Sequence, residues 1–354
     1  MNYAQLRNKA IKKRNPFCGG FELTYKCNFN CIHCYVDSEY KKNGKENELS
    51  KEEIIKIVKA IKLNGGAVLT LTGGECLLRE DFIEIYRYIK KNGLIVDVFT
   101  NGTNFTNKII DIFQKYPPRI IDISCYGFSD KTYKKVTKVK NSFYEFKKGI
   151  KLLKKNDLLC NTRIKYFILK QNVDELDKCK KYCKTNNINL TTDYSLHNSF
   201  NGKDIKNLYQ ISPKELVDKV IKKIDSVKQF YQKSYKKRKH SCNRFHDYSL
   251  WRCLAGLISY TITPKGKLKL CSQYNKNEID INSNNFGHVW DDMIPKIMKK
   301  SNSDICKNCK NNWACKSCAA WTDVPEKRKN LENICEYTKN LIKYLKEYNI
   351  VGDK

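Results

Sequence analysis

The sequence predicts an α/β protein in which buried parallel strands alternate with amphipathic helices. Six short stretches rich in Val, Ile, Leu, Phe, Thr or Tyr end near Gly, Asn or Asp, as buried parallel strands do. They lie at 20–24, 67–72, 95–100, 120–125, 161–169 and 189–195. Successive βα units favour a parallel sheet curled into a partial barrel, or a doubly wound sheet, with the chemistry at the carboxyl ends of the strands.

The predicted helices show apolar residues spaced three and four apart. Ser50 and Glu53 form a capping box before the first of them, and Gly65 ends it. Further helices are expected at 81–91, 106–114, 142–155, 173–185, 211–235 (one long helix) and 331–348. The strand–helix rhythm stops near residue 200. We therefore expect four units: an N-terminal tail (1–17), an α/β unit (18–200), a helical bridging segment (201–245) and a cysteine-rich C-terminal domain (246–354).

Composition narrows the class of protein. The 354 residues include 17 cysteines, and 68 Lys plus Arg against 37 Asp plus Glu give a formal charge of +31. No apolar run is long enough to span a membrane and no secretory signal is present, so we expect a cytoplasmic protein whose cysteines are thiolates for metal or catalysis rather than disulfides. The lysines are spread over nearly every helix, which favours solvated helix faces over a nucleic-acid site.

Three cysteines follow the first predicted strand at spacings of four and three: Cys27, Cys31 and Cys34. Thiolates so spaced on one loop can each bind one iron of a cubane cluster, leaving the fourth iron open to a chelating substrate. A zinc site would need a fourth ligand, and His33 sits between two of the cysteines where ring geometry is awkward. The spacing therefore favours an iron–sulfur cluster.

A second motif, Gly73-Gly74-Glu75, ends the second predicted strand. Its glycines would let a ligand approach the backbone closely, and its carboxylate could accept from an ammonium group. Alone, the motif is explained equally well by a strand-end turn.

The C-terminal third carries a third pattern, with seven cysteines at positions 253, 271, 306, 309, 315, 318 and 335. A zinc ribbon needs two CxxC pairs roughly 12–20 residues apart. Here five residues separate the pairs, and three cysteines would be left over. The zinc interpretation therefore fits poorly.

The three-cysteine loop and the Gly-Gly-Glu motif together resemble the radical S-adenosylmethionine (SAM) superfamily over about residues 18–200. The resemblance implies a partial (β/α)6 TIM-like barrel and a 4Fe–4S cluster held by Cys27, Cys31 and Cys34. It implies that SAM chelates the open iron and is reductively cleaved to a 5′-deoxyadenosyl radical. The expected SAM contacts are Gly73, Gly74 and Glu75 at the methionyl amine, His33 and the backbone of Tyr35 beside the adenine, Ser124 at the carboxylate or ribose, and Thr100 and Asn101 along the same pocket. Cys76 departs from the family's common proline and would place an extra thiol near the site.

The C-terminal array resembles the SPASM domain, which binds two auxiliary 4Fe–4S clusters, although its last pair is spaced by two residues where three is commoner. The resemblance assigns the outer cluster to Cys306, Cys309, Cys315 and Cys335, and the inner cluster to Cys253, Cys271 and Cys318. The fourth inner ligand stays open: Cys242 could serve, or a substrate thiolate could bind the iron. The cofactors expected are therefore three 4Fe–4S clusters and SAM.

SPASM-bearing relatives mostly modify peptides, so the resemblance favours oxidative formation of a thioether or carbon–carbon crosslink in a ribosomally synthesised peptide. The alternatives are a sulfatase-maturing (formylglycine-generating) enzyme, an enzyme acting on a small molecule such as a tetrapyrrole, and a non-catalytic Fe–S protein that binds nucleic acid. Candidate bases lie near predicted strand ends, although each could equally be a hydrogen-bonded structural residue. They are Asp122, Tyr126, Asp193, Tyr194 and His197.

The expected partners follow from the same resemblance and from the charge. A basic protein suits a peptide with an acidic leader. Only 26 residues precede Cys27, too few for the winged-helix leader-binding module of many maturases, so a separate carrier protein is one expected partner. A flavodoxin- or ferredoxin-type reductant is another. Neither nucleic acid nor a membrane is expected.

Overall fold

The structure is a computed structural model that describes residues 2–36, 41, 47–237, 253–274, 276–298, 309–315, 318 and 327–352. Two of the predicted cluster ligands, Cys242 and Cys306, lie outside the described residues. Within the described chain, no helix is long and apolar enough to cross a membrane.

A single nine-stranded sheet organises the molecule, in the order β6-β5-β4-β3-β2-β1-β7-β8-β9. Its strands are β1 Cys18–Thr24, β2 Val68–Gly73, β3 Ile95–Thr100, β4 Ile120–Cys125, β5 Thr162–Phe167, β6 Asn189–Asp193, β7 Ser259–Ile262, β8 Lys267–Lys269 and β9 Ile279–Asp280. Strands β6 to β1 pair in parallel, and so do β1 and β7, whereas β8 and β9 are antiparallel additions. The six predicted strands and the parallel partial barrel are confirmed.

Helices cover the strands at the expected places. The α-helices are α1 Tyr3–Lys13, α2 Lys51–Leu63, α3 Phe82–Lys91, α4 Asn107–Lys115, α5 Asp130–Thr137, α6 Ser142–Lys155, α7 Leu176–Thr185, α8 Ile205–Tyr209, α9 Pro213–Leu216, α10 Asp225–Lys236, α11 Phe286–His288, α12 Ile294–Met298 and α13 Lys327–Glu347. Short 3₁₀ turns lie at Cys76–Leu78, Leu159–Asn161 and Val173–Glu175, and π-helical turns at Val217–Ile221 and Val289–Met293. The capping box of Ser50 and Glu53 is confirmed.

Alternation along the strands separates the core from the site. On β4, Ile121 and Ile123 are fully buried in the apolar core, whereas Asp122 and Ser124 line a cavity inside the barrel. This is the two-residue period of a strand, which sends successive side chains to opposite faces. The helices therefore cover one face, and the other face is left to polar chemistry.

The prediction of one long helix at 211–235 is wrong. The chain leaves helical geometry at Ile224 (φ −121°, ψ 103°), between the π-turn and α10. The first part, with Val217 and Val220 buried, packs near α13. In α10, Tyr231 and Tyr235 instead reach Tyr194 and Trp313. One straight helix could not serve both sets of neighbours, because its apolar stripe would have to change face.

Segments from both ends of the described chain join the C-terminal third to the barrel. Strand β7 pairs with β1, placing Thr261 opposite Gly20. Helix α1 leads to Arg14, whose carbonyl accepts from Trp290 Nε1 at 2.7 Å and whose guanidinium lies over the same indole. The four-unit division expected from the sequence stays a prediction.

Candidate active site

The carboxyl ends of the parallel strands surround a cavity of about 530 Å³. Its lining brings together residues from two predicted motifs, the cysteine loop and the glycine turn, and from several strand ends. Among them are Cys27, Cys31, Cys34, His33, Tyr35, Gly73, Gly74, Thr100, Asn101, Asp122, Ser124, Tyr126, Lys165, Phe167, Asp193, His197, Thr261 and Gln273. A cavity of this size at this end of a parallel barrel is the expected place for a cofactor together with part of a substrate.

The cysteine loop (residues 27–34) is fixed by backbone hydrogen bonds to a neighbouring helix. The amides of Asn30 and Ile32 donate to the carbonyls of Thr137 and Val136, at 3.0 and 2.9 Å. These carbonyls belong to the last turn of α5, whose acceptors have no partner within their own helix. These two bonds use no cysteine side chain, although within the loop the Phe29 amide also donates to Cys27 Sγ at 3.4 Å.

All three thiols of the loop line the cavity. Burial raises the pKa of the Cys27 thiol to about 12 and raises that of Cys31 well above its ordinary value. Bound iron supplies the positive charge that a desolvated thiolate needs. Within the described residues, no three Cys, His, Asp or Glu side chains are grouped tightly enough to hold a single metal ion. A cubane binds each thiolate through a different iron and so keeps the sulfurs further apart, which makes this donor set suitable for a cluster.

The glycine turn packs against the residues that lead into the cysteine loop. Gly74 N donates to Thr24 O at 2.7 Å, and Glu75 N donates to Lys26 O at 2.9 Å. A Cβ on Gly73 (φ +129°) would lie 2.2 Å from Thr24 O, and one on Gly74 would lie 2.5 Å from Lys26 O. Only glycine fits at both positions, so the turn and the loop form one rigid unit.

Glu75 is fully buried behind the turn and does not line the cavity. Its carboxylate accepts from Thr100 Oγ1 at 2.7 Å, from the Asn101 amide at 2.7 Å and from the Leu77 amide at 3.1 Å. Burial raises its pKa to about 6 against these donors. The structure thus places the backbone of the two glycines at the cavity, and the carboxylate holds the end of β3. Its predicted contact with an ammonium group stays a prediction.

An aromatic group forms one wall. The His33 ring stacks on Phe167 with centroids 4.9 Å apart and planes 20° apart, and it lies 5.2 Å from the Tyr126 ring. Burial lowers the pKa of His33 to about 3, so its imidazole is neutral at ordinary pH. Its Nδ1 atom is buried and has no hydrogen-bond partner among the described residues. A neutral ring with a spare polar atom suits a planar heteroaromatic ligand.

Polar residues on and after the strands also line the cavity. Asp122 is held by two hydrogen bonds from the Arg163 guanidinium, and Asp193 pairs with Lys165 at 3.2 Å. His197 also lines the cavity, and burial lowers its pKa to about 4. Asp122, Tyr126, Asp193 and His197 therefore all line the cavity, and a role as base stays a prediction.

Tyr194 does not line this cavity. Its hydroxyl hydrogen-bonds that of Tyr231, next to a separate void of about 30 Å³ that Tyr337 also lines. Tyr35 lines the main cavity, but its carbonyl already accepts from the Phe200 amide at 3.0 Å.

Sequence reasoning missed several cavity residues, Lys165 and Gln273 among them. Lys165 shares a strand face with Phe167 and pairs in register with Ser124, so alternation carried across the sheet from Ser124 would have found it. Gln273 follows Cys271, and its Oε1 atom is buried with no partner among the described residues. No pattern in the sequence signals that position.

Four of the six described C-terminal cysteines lie in two pairs. Burial raises the pKa of the Cys271 thiol, and nearby Cys253 raises it further, so these two predicted inner ligands are neighbours. Cys315 and Cys318 both lie near Lys206, where they oppose the lowering of its pKa by burial. Predicted ligands Cys309 and Cys335 lie in the turn at 309–315 and on α13.

Other cysteines take structural positions. Cys76 is fully buried and donates to Phe99 O at 3.4 Å, so it does not line the cavity. Cys125 faces the helices, as alternation predicts, and contacts Cys179, which lies 4.0 Å from Cys183.

The cysteine loop, the glycine turn and the parallel barrel together define a class of enzyme. Comparison with known proteins identifies the same class. Residues 21–183 match the model of the radical SAM superfamily. The chain belongs to this superfamily, whose chemistry requires a 4Fe–4S cluster and SAM.

Two relatives in sequence and one solved structure of similar fold illustrate the match. The subtilosin biosynthesis protein AlbA of Bacillus subtilis is 25% identical over 344 residues, covering 92% of this chain and 72% of AlbA. A probable GTP 3′,8-cyclase of Saccharolobus solfataricus is 30% identical over 268 residues, covering 73% of this chain and 83% of the cyclase. The fold of Streptococcus suis SuiB bound to its precursor peptide SuiA superposes with a TM-score of 0.66 at 16% identity, over 90% of this chain and 75% of SuiB.

Proposed function

We propose that this protein is a radical SAM enzyme that oxidatively modifies a peptide, forming a thioether or carbon–carbon crosslink in a ribosomally synthesised precursor. The observation that carries the proposal is the cysteine loop, which faces the same cavity as the glycine turn while backbone hydrogen bonds fix both. When bound, the cluster and SAM would supply radical chemistry that removes a hydrogen from the substrate, and Cys27, Cys31 and Cys34 would hold the cluster.

The residues of this chain bind and orient the cofactor in this proposal. Cys27, Cys31 and Cys34 are the cluster ligands. The backbone of Gly73 and Gly74 receives the methionyl amine, and Glu75 positions that turn and the end of β3 through its three hydrogen bonds.

Other residues of the cavity would bind the adenine and the carboxylate of SAM. His33 offers a neutral ring and a buried Nδ1 atom to the adenine, beside Tyr35 and Phe167. Ser124, Thr100 and Asn101 serve the carboxylate or ribose from the strand ends.

Substrate enters from the side where the C-terminal strands join the barrel. Thr261 and Gln273 line that wall, and the Thr261 side chain packs over Gly20, where an added Cβ would lie 3.2 Å from Thr261 Oγ1. The buried acceptor of Gln273 suits a donor such as a peptide N–H. Asp193 and His197 are the candidates for taking a proton, Asp193 being paired with Lys165.

The C-terminal cysteines are proposed to hold two auxiliary clusters that accept the electron released by a net oxidation. The inner ligands would be Cys253, Cys271 and Cys318 with Cys242 as a candidate fourth, and the outer ligands Cys306, Cys309, Cys315 and Cys335. The adjacency of Cys253 and Cys271 supports the inner set. A flavodoxin- or ferredoxin-type protein would reduce the first cluster.

The similarity to AlbA and to peptide-bound SuiB supports a peptide substrate. The positive charge of this chain would suit a peptide with an acidic leader. The similarity to a GTP 3′,8-cyclase supports a second candidate, modification of a small molecule. Sulfatase-type maturation is a third outcome to distinguish.

The test is anaerobic reconstitution followed by reaction with SAM, dithionite and short peptides encoded beside this protein's own reading frame. Mass spectrometry should show a peptide that has lost two hydrogens, with fragmentation blocked between the crosslinked residues. Conversion of Cys or Ser to formylglycine without a crosslink would favour sulfatase maturation. No peptide change, together with turnover of a nucleotide or tetrapyrrole, would contradict the peptide proposal. Adding a small carrier protein then tests whether a leader needs one.

A further inference from the structure

A buried ion pair connects the first strand of the barrel to the C-terminal strands. Glu22 on β1 and Lys269 on β8 are both fully buried, with Nζ 3.6 Å from the carboxylate. The two strands are not neighbours, because β7 lies between them. The pair therefore reaches across β7 inside the molecule.

Glu22 also holds the end of the cysteine loop. Its carboxylate accepts from Tyr25 Oη at 3.0 Å and from Tyr35 Oη at 3.2 Å. Tyr35 directly follows Cys34. Burial raises the pKa of Glu22, and Lys269 and the two tyrosines oppose that shift.

Lys269 holds the segment that carries Cys271. Its Nζ donates to Ser272 O at 3.3 Å and lies 4.8 Å from the centre of the Phe200 ring. Phe200 also contacts Tyr35, so it connects Lys269 to the end of the cysteine loop. Its amide donates to Tyr35 O at 3.0 Å, and its ring packs on the Tyr35 ring. The ion pair thus links the two cysteine segments: Glu22 binds Tyr35, which follows Cys34, and Lys269 binds Ser272, which follows Cys271.

Fold stability does not explain such a pair, since apolar residues of similar volume at both positions would often be as stable. We propose that Glu22 and Lys269 are positioning residues through which the C-terminal module fixes the cysteine loop and thereby sets SAM affinity. This inference rests on the proposed function. Lys269 therefore affects the first cluster site although it lies far from it in sequence.

The first arm of the test needs no cofactor. Thermal unfolding is measured for apo-protein carrying Glu22→Gln, Lys269→Met or both, with Lys223→Met as control, because Lys223 is a half-exposed partner of Asp177. Each single change should lower the midpoint temperature of unfolding. The double variant should lose clearly less than the sum of the two single losses, because neither charge is left buried alone. Additive losses would overturn the proposal.

The second arm uses reconstituted protein and follows the change that SAM causes in the EPR spectrum of the reduced first cluster. Each single variant should bind SAM about tenfold more weakly, the scale of coupling within one hydrogen-bond network, and the double variant should recover part of the loss. Unchanged SAM affinity and EPR signals in folded variants would reduce the pair to a structural role and overturn the proposal. Wild-type protein without any SAM-dependent spectrum would instead contradict the proposed function, while the apo-protein cycle would still test the ion pair.

Discussion

The barrel and the C-terminal module hold their cysteines in different ways. In the barrel, Cys27, Cys31 and Cys34 lie on one loop, which backbone hydrogen bonds join to α5 and which packs beside the glycine turn. In the C-terminal module, the described cysteines lie in separate segments, with Cys271 after a three-residue strand and Cys335 on α13. The first site is formed by the backbone of a continuous parallel sheet. The auxiliary clusters proposed for the second would bring its segments together, as metals do in small metal-binding domains.

The largest expected effect falls on the cysteine loop. Replacing Cys34 by Ala should abolish formation of 5′-deoxyadenosine, because a cubane with two protein ligands is not retained. The product is measured by liquid chromatography after anaerobic reduction with SAM. Cys160→Ala is the matched control, since Cys160 is exposed and has no proposed role. Equal activity of the two variants would show that the loop does not hold the cluster.

Removing a C-terminal ligand should stop peptide modification but leave SAM cleavage in the barrel intact. Cys315→Ala should lower bound iron by about four atoms per chain and stop peptide modification, while 5′-deoxyadenosine is still formed. Iron analysis and peptide mass spectrometry on the same sample report both effects. Full iron content in this variant would mean that Cys315 is no ligand. Loss of 5′-deoxyadenosine as well would mean that the regions are not separable.

The glycine turn should tolerate no side chain. Gly73→Ala should cost about 3 kcal/mol of stability or more, because a strained positive φ adds to a clash with Thr24 O. Gly93→Ala is a matched control: Gly93 also has a positive φ, but an added Cβ would meet nothing within 4 Å. Denaturant unfolding of both apo-proteins should place the control near 1 kcal/mol, the cost of strain alone. Equal losses would show that the close packing of turn and loop contributes nothing.

The smallest expected effect concerns pH. The folded pKa of His197 is lowered to about 4, below the unfolded value near 6.5, so folding favours the neutral ring. Its contribution to stability is complete above pH 6.5 and falls as the pH drops towards 4, by about 1–2 kcal/mol at pH 5. His197→Gln should therefore lose less stability than wild type between pH 7 and pH 5. His288→Gln, at an exposed position, should behave as wild type. Parallel pH profiles for wild type and His197→Gln would contradict this account of the cavity wall.

Much of the barrel could be predicted because its signals are local. The resemblance to the superfamily placed Ser124 at the cavity, alternation on β4 then directed Cys125 away from it, and the capping box at Ser50 marked the start of α2. The glycine turn was recognised only together with the three-cysteine loop, and the structure explains its sequence, because no other residue fits there.

What could not be predicted depends on contacts between distant segments. The orientation of Glu75 away from the cavity is set by donors at the end of β3. The break at Ile224 reflects two different packing partners of one apolar stripe. The pairing of Glu22 with Lys269 requires the C-terminal strands to join β1, which no local pattern indicates.

The central claim is that the cysteine loop and its cavity cleave SAM. The most direct measurement is the yield of 5′-deoxyadenosine from anaerobically reconstituted wild-type protein treated with SAM and dithionite without any peptide. The account predicts a yield of at least about one molecule per chain over a long incubation, and none from Cys34→Ala. A wild-type protein that holds its iron–sulfur absorbance yet leaves SAM intact would contradict it.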